Sequence, residues 1–249
     1  MIASHRLRLD QALVQRGVVE TRSKARDLIV RGAVRVSGEV VRKPGTLIGP
    51  DDDVQADIAQ HPYVSRGGLK LAHALDVFDY SPLGVCVVDV GASTGGFTDV
   101  LLRRGASRVY AVDVGHDQLH DTLSGDDRVV ALDGTDVRML TGEMVQEPVS
   151  AIVSDVSFIS LTQVLPAAMQ FAAPGCWLVA LIKPQFELDP KAIGKGGIVM
   201  SEQARQTSID KIVAWFSECV GWRAASPIQS PITGKGGNIE FLIGARFDG

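Results

Sequence analysis

Two polar residues stand at the ends of apolar runs, where water would shield them least. Asp155 follows the run 150–154 in Ser154-Asp155-Val156-Ser157-Phe158, and Lys183 follows 177–182 in Leu181-Ile182-Lys183-Pro184-Gln185-Phe186. In open α/β sheets the carboxyl ends of strands are where ligands bind. A lysine closing so apolar a strand is poorly solvated, and desolvation lowers a lysine pKa. Such a lysine can serve as a general base, or hold an alkoxide as it forms. The plainer alternative is a lysine that snorkels to the surface.

A third stretch points to a bound ligand. Val87-Val88-Asp89-Val90 runs into Gly91-Ala92-Ser93-Thr94-Gly95-Gly96-Phe97, and a helical pattern resumes in Val100, Leu101 and Leu102. This is a buried strand, a tight turn and a helix whose N-terminus faces a ligand. A nucleoside triphosphate would want Gly-x-x-x-x-Gly-Lys-Ser/Thr, and the two Gly-Lys-Gly-Gly stretches at 194–197 and 234–237 lack its hydroxyl and spacing. A dinucleotide would want Gly-x-Gly-x-x-Gly, and the close-approach glycine is missing. The turn fits S-adenosylmethionine better, although by itself it leaves the dinucleotide open. Asp113, ending the next strand, can take both hydroxyls of a ribose and serves either cofactor. Asp136 has two open readings: an acceptor for an adenine amino group, or a turn or helix cap. Beside a sulfonium charge, the Lys183 pKa would fall further.

These residues need a scaffold. Strands are expected at 85–89, 108–112, 128–132, 150–154 and 176–182, with helices between them. A long helix near 202–219 and two more strands, near 223–229 and 238–246, complete the series. Alternation of this kind predicts an α/β fold: a mostly parallel seven-stranded sheet with helices on both faces and an antiparallel member at the end. Ser65 is expected to cap a helix carrying Leu69, Leu71, Ala72, Leu75 and Phe78, whose first turn holds the costly pair Gly67-Gly68.

Absent motifs narrow the methyl acceptor. Methylation of exocyclic base amines usually takes an Asn/Asp-Pro-Pro-aromatic turn after strand four, and Asp155-Val156-Ser157-Phe158 has neither proline. Carbon methylation of pyrimidines needs a cysteine near the strand ends. Cys86 and Cys176 lie at the wrong edge and Cys219 in the late helix. An oxygen acceptor remains, and a ribose 2′-hydroxyl suits it. His116-Asp117-Gln118-Leu119-His120 has histidines four apart, but the intervening acid is Asp and no third ligand is evident, so no metal site is expected. The segment is read as a wall of the donor pocket.

The first fifty residues are of another kind. They hold ten Lys/Arg against four Asp/Glu, a balance of +6, while the remainder holds fifteen against twenty-five, a balance of -10. A basic head on an acidic body points to a polyanionic partner. Asp10 and Thr21 are expected to cap two short helices, with Gly32 as the stop of the second. Val34-Arg35-Val36 then turns through Ser37-Gly38 into Val40-Val41. Arg22, Lys24, Arg26 and Arg31 share the second helix, and Arg35, Arg42 and Lys43 extend the basic surface onto the hairpin. Cations on a helix and a hairpin fit the phosphates and grooves of structured RNA. A last strand, 54–58, closes the unit.

Apolar residues at 45% and charged residues at 22% describe an ordinary globular chain. No apolar run approaches the roughly 20 residues that span a bilayer, and the N-terminus has no signal-peptide core. Three cysteines, odd in number and each beside apolar neighbours, read as free thiols in a reducing cytoplasm. No protein partner and no membrane is expected.

Arg8-Leu9-Asp10, Leu13, Thr21-Arg22, Ala25, Leu28-Ile29, Gly32 and Val34-Arg35-Val36-Ser37-Gly38 resemble the S4 RNA-binding domain, with Thr21 where that family usually has Ser. The rest resembles the ribose 2′-O-methyltransferases of the FtsJ/RrmJ type, whose Lys-Asp-Lys-Glu tetrad falls on Lys70, Asp155, Lys183 and Glu240. Val64-Ser65-Arg66-Gly67-Gly68, the glycine turn through Thr98, Ser157-Phe158-Ile159-Ser160 and Lys183-Pro184-Gln185-Phe186-Glu187 stand in order. Together with the head they make the whole chain resemble the TlyA family, rRNA cytidine 2′-O-methyltransferases also called haemolysins.

The resemblance implies a small α+β S4 domain at 1–60, a linker at 61–64 and a Rossmann-like S-adenosylmethionine-dependent methyltransferase domain at 65–249. It implies Lys183 as the base, Lys70 and Glu240 as positioning groups, and Asp155 beside donor and lysine. The donor pocket would comprise Gly91, Ala92, Ser93, Thr94, Gly95, Gly96, Phe97, Asp113, Val114, Asp136, Val137 and Asp155. RNA would meet Arg6, Arg8, Arg22, Lys24, Arg26, Arg35 and Arg66, with Lys195 and Lys235 as further grips or exposed turns. Ribosomal RNA or a ribosomal subunit is the implied partner. Some family members carry extra terminal helices and modify both subunits; this chain is expected to lack them, which favours 23S rRNA as substrate, with 16S rRNA as the second choice. Two rival expectations are a membrane-lytic haemolysin and an RNA-binding protein with an inactive enzyme domain.

Overall fold

The computed structural model describes residues 6–30, 32–56, 62–194, 196–234 and 236–249. Arg31, Lys195, Lys235, the end of the strand expected at 54–58 and the start of the linker at 61 lie outside the described residues. The chain divides into two compact units, Met1–Gln60 and His61–Gly249.

In the first unit β1 (Leu7–Arg8) leads into α1 (Leu9–Gln15), and α2 (Arg22–Val30) packs on it. Strands β2 (Val34–Val36), β3 (Glu39–Val40), β4 (Leu47–Ile48) and β5 (Val54–Ala56) follow. β2 pairs antiparallel with β3 and β5, and β1 with β4. Leu9, Leu13, Ala25, Leu28, Ile29, Val34 and Ile48 form the core. The β2–β3 hairpin turns through Ser37 and Gly38 at φ 51° and 85°. Two successive left-handed residues are what a two-residue hairpin of type I′ needs. Thr21 caps α2, its Oγ1 accepting from the Lys24 N–H at 3.3 Å. Asp10 does not cap α1. The N-cap is Arg8, and Asp10 lies buried in the first turn, its carboxylate turned to arginines.

The second unit begins with α3 (Gly67–Phe78). Ser65 does not cap it: Arg66 is the N-cap and no side chain bonds there. Strand and helix then alternate through β6 (Cys86–Val90), α4 (Gly96–Arg103), β7 (Arg108–Val112), α5 (Asp121–Ser124), β8 (Val129–Leu132), β9 (Val149–Ser154), α6 (Leu161–Met169) and β10 (Ala172–Ile182). The short α7 (Pro184–Glu187), the long α8 (Glu202–Glu218), β11 (Trp222–Ala224), β12 (Ile228–Gln229) and β13 (Phe241–Phe247) complete it. The sheet order is β11-β13-β10-β9-β6-β7-β8. β8, β7, β6, β9 and β10 run parallel, and β13 lies antiparallel to β10.

One expected strand is in two pieces. The stretch 223–229 pairs with one edge of β13 as β11 and again as β12. Pro227 stands between them, and proline has no N–H for a ladder.

Successive residues of the central strands face opposite layers. Val88, Val90, Ile152 and Leu178 pack with Leu165, Ile212 and Phe216 on one face; Val87, Val153 and Val179 pack with Leu71, Leu75 and Leu101 on the other. The order reverses at β6, which has β7 on one side and β9 on the other, and this is the switch point where open sheets bind ligands.

The Lys183-Pro184-Gln185-Phe186-Glu187 run has a structural half. Glu187 is buried; its carboxylate accepts from Ser160 Oγ at 2.5 Å and the Leu161 N–H at 2.8 Å, and Lys211 Nζ donates to it at 3.3 Å. An acid on one element thereby caps the N-terminus of another, α6, and fixes the loop between β9 and α6. Glu187→Ala would strand these donors in the interior. It is expected to cost about 3 kcal/mol, read from chemical denaturation, with the Ser157–Ser160 loop loosened in amide exchange.

Candidate active site

The glycine turn is shaped by its own protein first. Gly91 and Gly95 hold φ of 83° and 90°, a region that side chains rarely adopt. A Cβ on Gly91 would meet Val156 Cγ1 at 3.0 Å, one on Gly95 would meet Leu119 and Leu123, and one on Gly96 the Ser65 hydroxyl. A Cβ on Gly68 would stand 2.5 Å from the Tyr63 ring. The close approach these glycines permit is therefore largely to neighbouring segments. Those segments bring α3 and the 156–158 loop onto the turn.

Between them lies a cavity of about 230 Å³. It is lined by Gly91, Ala92, Ser93, Thr94, Gly96 and Phe97 of the turn, by Ser65, Arg66, Gly67 and Lys70 of α3 and its approach, by Asp155, Ser157 and Lys183, and by Ile232 and Thr233. Three members of the tetrad thus share one cavity. The fourth, Glu240, is buried and not part of its lining; its Oε2 holds Lys70 Nζ at 2.6 Å across 170 residues of sequence. The second pair is Lys183 Nζ to Asp155 Oδ1 at 2.7 Å, and the same ammonium donates to Ser157 Oγ at 2.8 Å and the Asp155 carbonyl at 3.3 Å. Pro184 assists, because a residue before proline is pushed to extended backbone; Lys183 sits at φ -110°, ψ 101° and then α7 begins.

Asp113, Val114, Asp136 and Val137 are not part of that lining. Asp113 accepts from the Ser93 N–H at 2.8 Å and the Gly115 N–H at 2.7 Å, so it ties the turn to the end of β7, outside the cavity lining. Val114 beside it is exposed. Asp136 caps the turn Val137–Met139 and pairs with Arg138, whose guanidinium holds its pKa down to about 2. The Val137 side chain is buried in the core. Ser157 and Thr233 were not singled out as site residues by sequence, and Ser65 only as a helix cap; a serine three residues past a strand end carries no distinctive spacing.

His116 and His120 do not converge on a metal, and among the described residues no cluster of His, Cys, Asp and Glu could hold one. His120 caps α5, and Gln118 accepts from Ser93 Oγ at 3.1 Å. Cys86 and Cys176 are free and buried, and burial pushes their thiols up to about 11 and about 12, the opposite of an activated nucleophile.

On the basic head, Arg8, Arg22 and Arg26 all bond Asp10, Lys24 pairs with Glu20, and Arg35 Nη1 donates to the Gly38 carbonyl at 3.1 Å. Arg6 is exposed.

Comparison with known proteins gives the fold and the site their class. The family model for FtsJ-like methyltransferase matches residues 63–247, and that for the S4 domain residues 7–54. The fold is that of the S-adenosylmethionine-dependent methyltransferases. Two solved O-methyltransferases holding SAH or SAM share it at TM-score 0.51, with 17% and 14% identity.

The chain is 41% identical over 245 residues to the 16S/23S rRNA (cytidine-2′-O)-methyltransferase TlyA of Mycobacterium tuberculosis, covering 98% of this chain and 91% of that one. It is 32% identical to the 23S rRNA (cytidine-2′-O)-methyltransferase TlyA of Campylobacter jejuni, covering 77% and 74%. A solved Streptococcus thermophilus structure with a provisional hemolysin name matches at 38% identity and TM-score 0.77, covering 98% and 90%. This chain belongs to the TlyA family of rRNA methyltransferases. Among the described residues no helix is long and apolar enough to cross a membrane.

Asp89, in the middle of β6, is fully buried; Thr98 Oγ1 donates to its Oδ2 at 2.7 Å, and Oδ1 has no hydrogen-bond partner. Burial, with lesser repulsion from Asp155 and Asp113, raises its pKa from 3.8 to about 7. The native state then keeps a proton that the unfolded chain loses above about pH 4, so stability falls as pH rises toward 7. Asp89→Asn, neutral at every pH, is expected to remove that slope. Denaturation midpoints at pH 5 and pH 8 would show it gaining a few kcal/mol on the wild type at the higher pH.

Proposed function

We propose that this protein transfers the methyl group of S-adenosylmethionine to the ribose 2′-oxygen of a cytidine in ribosomal RNA, with 23S rRNA as the substrate. The observation that carries this reading is the two ion pairs, Lys70–Glu240 buried and Lys183–Asp155 partly buried, set at one cavity with the glycine turn. The names of the relatives from M. tuberculosis and C. jejuni support the substrate, since 23S rRNA is common to both. The S4 domain supports an RNA partner.

The residues present fit the donor. The turn offers small side chains, two hydroxyls and backbone N–H groups to an amino-acid end, and Asp113 stands at the end of β7, where a ribose edge would lie. A pyrophosphate fits less well, because protein side chains fill the space beside Gly95 and Gly96. The donor supplies an electrophilic methyl group. Everything else falls to the chain.

Lys183, once it has given up one proton, takes the 2′-hydroxyl proton as the oxygen attacks in line. Asp155 and Ser157 hold its Nζ at 2.7 and 2.8 Å, which fixes the position of that nitrogen at the cavity. Lys70, held by Glu240, presents a second cation to the cavity, where it can orient the ribose and stabilise charge building on oxygen. Arg66 lines the same cavity and would meet a phosphate of the target strand. The units Met1–Gln60 and His61–Gly249 would act as RNA-binding head and catalytic body.

Lys183→Ala should reduce methyl transfer at least a thousandfold while calorimetry finds donor affinity within about threefold of wild type. Lost donor affinity with residual turnover would put the lysine in the donor site and remove it from the chemistry. Primer extension on rRNA from cells with and without the protein would identify the acceptor, and a stop confined to 16S rRNA would overturn the choice of substrate.

A further inference from the structure

The head contains a buried acid that the reaction does not use. Asp10 is 0% exposed, yet three guanidiniums, one from β1 and two from α2, converge on its carboxylate. Arg8 binds it as a fork, Nε to Oδ1 at 3.0 Å and Nη2 to Oδ2 at 3.2 Å. Arg22 Nη2 and Arg26 Nε reach Oδ2 at 3.0 and 3.2 Å. The three arginines remain 40, 51 and 58% exposed. Arg22 and Arg26 each turn one nitrogen inward, so the outer nitrogens of both forks have no partner among the described residues. Together the arginines and the acid leave a net charge of +2 on a surface whose cations are held in place.

Free arginines lose rotamer freedom when they bind a phosphate, and fixing them beforehand removes that cost. A guanidinium with one edge occupied still offers a fork to phosphate oxygens. A carboxylate wholly inside the fold contributes no contact of its own to RNA. Its Coulombic effect on a polyanion is repulsive.

We infer that Asp10 is a positioning residue for RNA recognition, which orders Arg8, Arg22 and Arg26 into one preformed site for the phosphodiester backbone of folded RNA. The inference rests on the RNA-binding reading of the head and adds to it how the arginines are arranged. It makes an unusual demand. Removing a negative charge from a protein that binds RNA should weaken binding.

The test uses the full chain: wild type, Asp10→Asn, Arg22→Ala/Arg26→Ala, and the triple variant. Binding to a labelled large-subunit rRNA transcript is read by anisotropy across a salt series, and kcat and KM for RNA are measured on ribosomal subunits. Asp10→Asn is expected to weaken binding about tenfold, with a shallower dependence of log affinity on log salt, a raised KM and an unchanged kcat. It should add a much smaller loss on the Arg22→Ala/Arg26→Ala background, where Arg8 alone remains to be ordered. Unchanged or tighter binding by Asp10→Asn, as net charge alone predicts, would overturn the inference. So would an equal loss on both backgrounds, which would mark Asp10 as a fold-former only. If Arg22→Ala/Arg26→Ala binds RNA as well as wild type, the RNA reading of the head itself fails. If Asp10→Asn melts below the assay temperature, Arg8→Lys takes its place: it keeps the charge and loses the fork on Asp10, so wild-type affinity and salt slope in that variant would equally overturn the inference.

Discussion

A charged group taken out of water must find its opposite, and the catalytic body is arranged around that constraint. Leaving one buried partner without the other costs several kcal/mol, so the elements carrying each pair are bound to one another. Lys70 belongs to the first helix of the unit and Glu240 stands just before the last strand, yet their side chains meet at 2.6 Å. The contact draws the two ends of the unit together over the carboxyl edge of the sheet. β13, laid antiparallel against β10 with Ile182 opposite Phe241, brings Glu240 to the level of Lys183. The second pair, Lys183 with Asp155, joins the ends of β10 and β9. The four residues expected to do chemistry also tie together the elements that carry them.

The same site shows how glycines can serve two ends. A missing side chain at Gly95 or Gly96 leaves room that Leu119, Leu123 and Ser65 fill. The turn is thereby clamped by α5 and by the approach to α3, and its remaining open side faces the cavity. A turn packed in this way holds its backbone N–H groups in fixed directions, as preorganised binding requires. Glu187 extends this support outward by capping α6 from α7, and so steadies the loop that carries Ser157.

Much of this was legible in the chain itself. The alternation of apolar runs and helical patterns gave every strand of the parallel sheet, and the ends of runs four and five placed Asp155 and Lys183 at one edge, because parallel strands share their carboxyl side. The departures have local causes. Asp10 and Ser65 are good capping types, but Asp10 answers to three arginines and Ser65 packs its hydroxyl against Gly96, and neither demand is visible in a residue's immediate neighbours. The broken strand at 222–229 was foreshadowed by Pro227, whose missing N–H outweighs the apolar pattern around it.

By itself the sequence determined which residues would lie at the working edge, because strand polarity and hydrophobic period are local properties. It also separated a basic head from an acidic body, because charge is counted along the chain. Only the tertiary structure decided the partners. That Lys70 pairs with Glu240, that Ser157 accepts from Lys183, and that Arg22 and Arg26 join Arg8 on Asp10 depend on distances between separate elements. A buried charge selects its partner in space, and spacing along the chain carries no record of that choice.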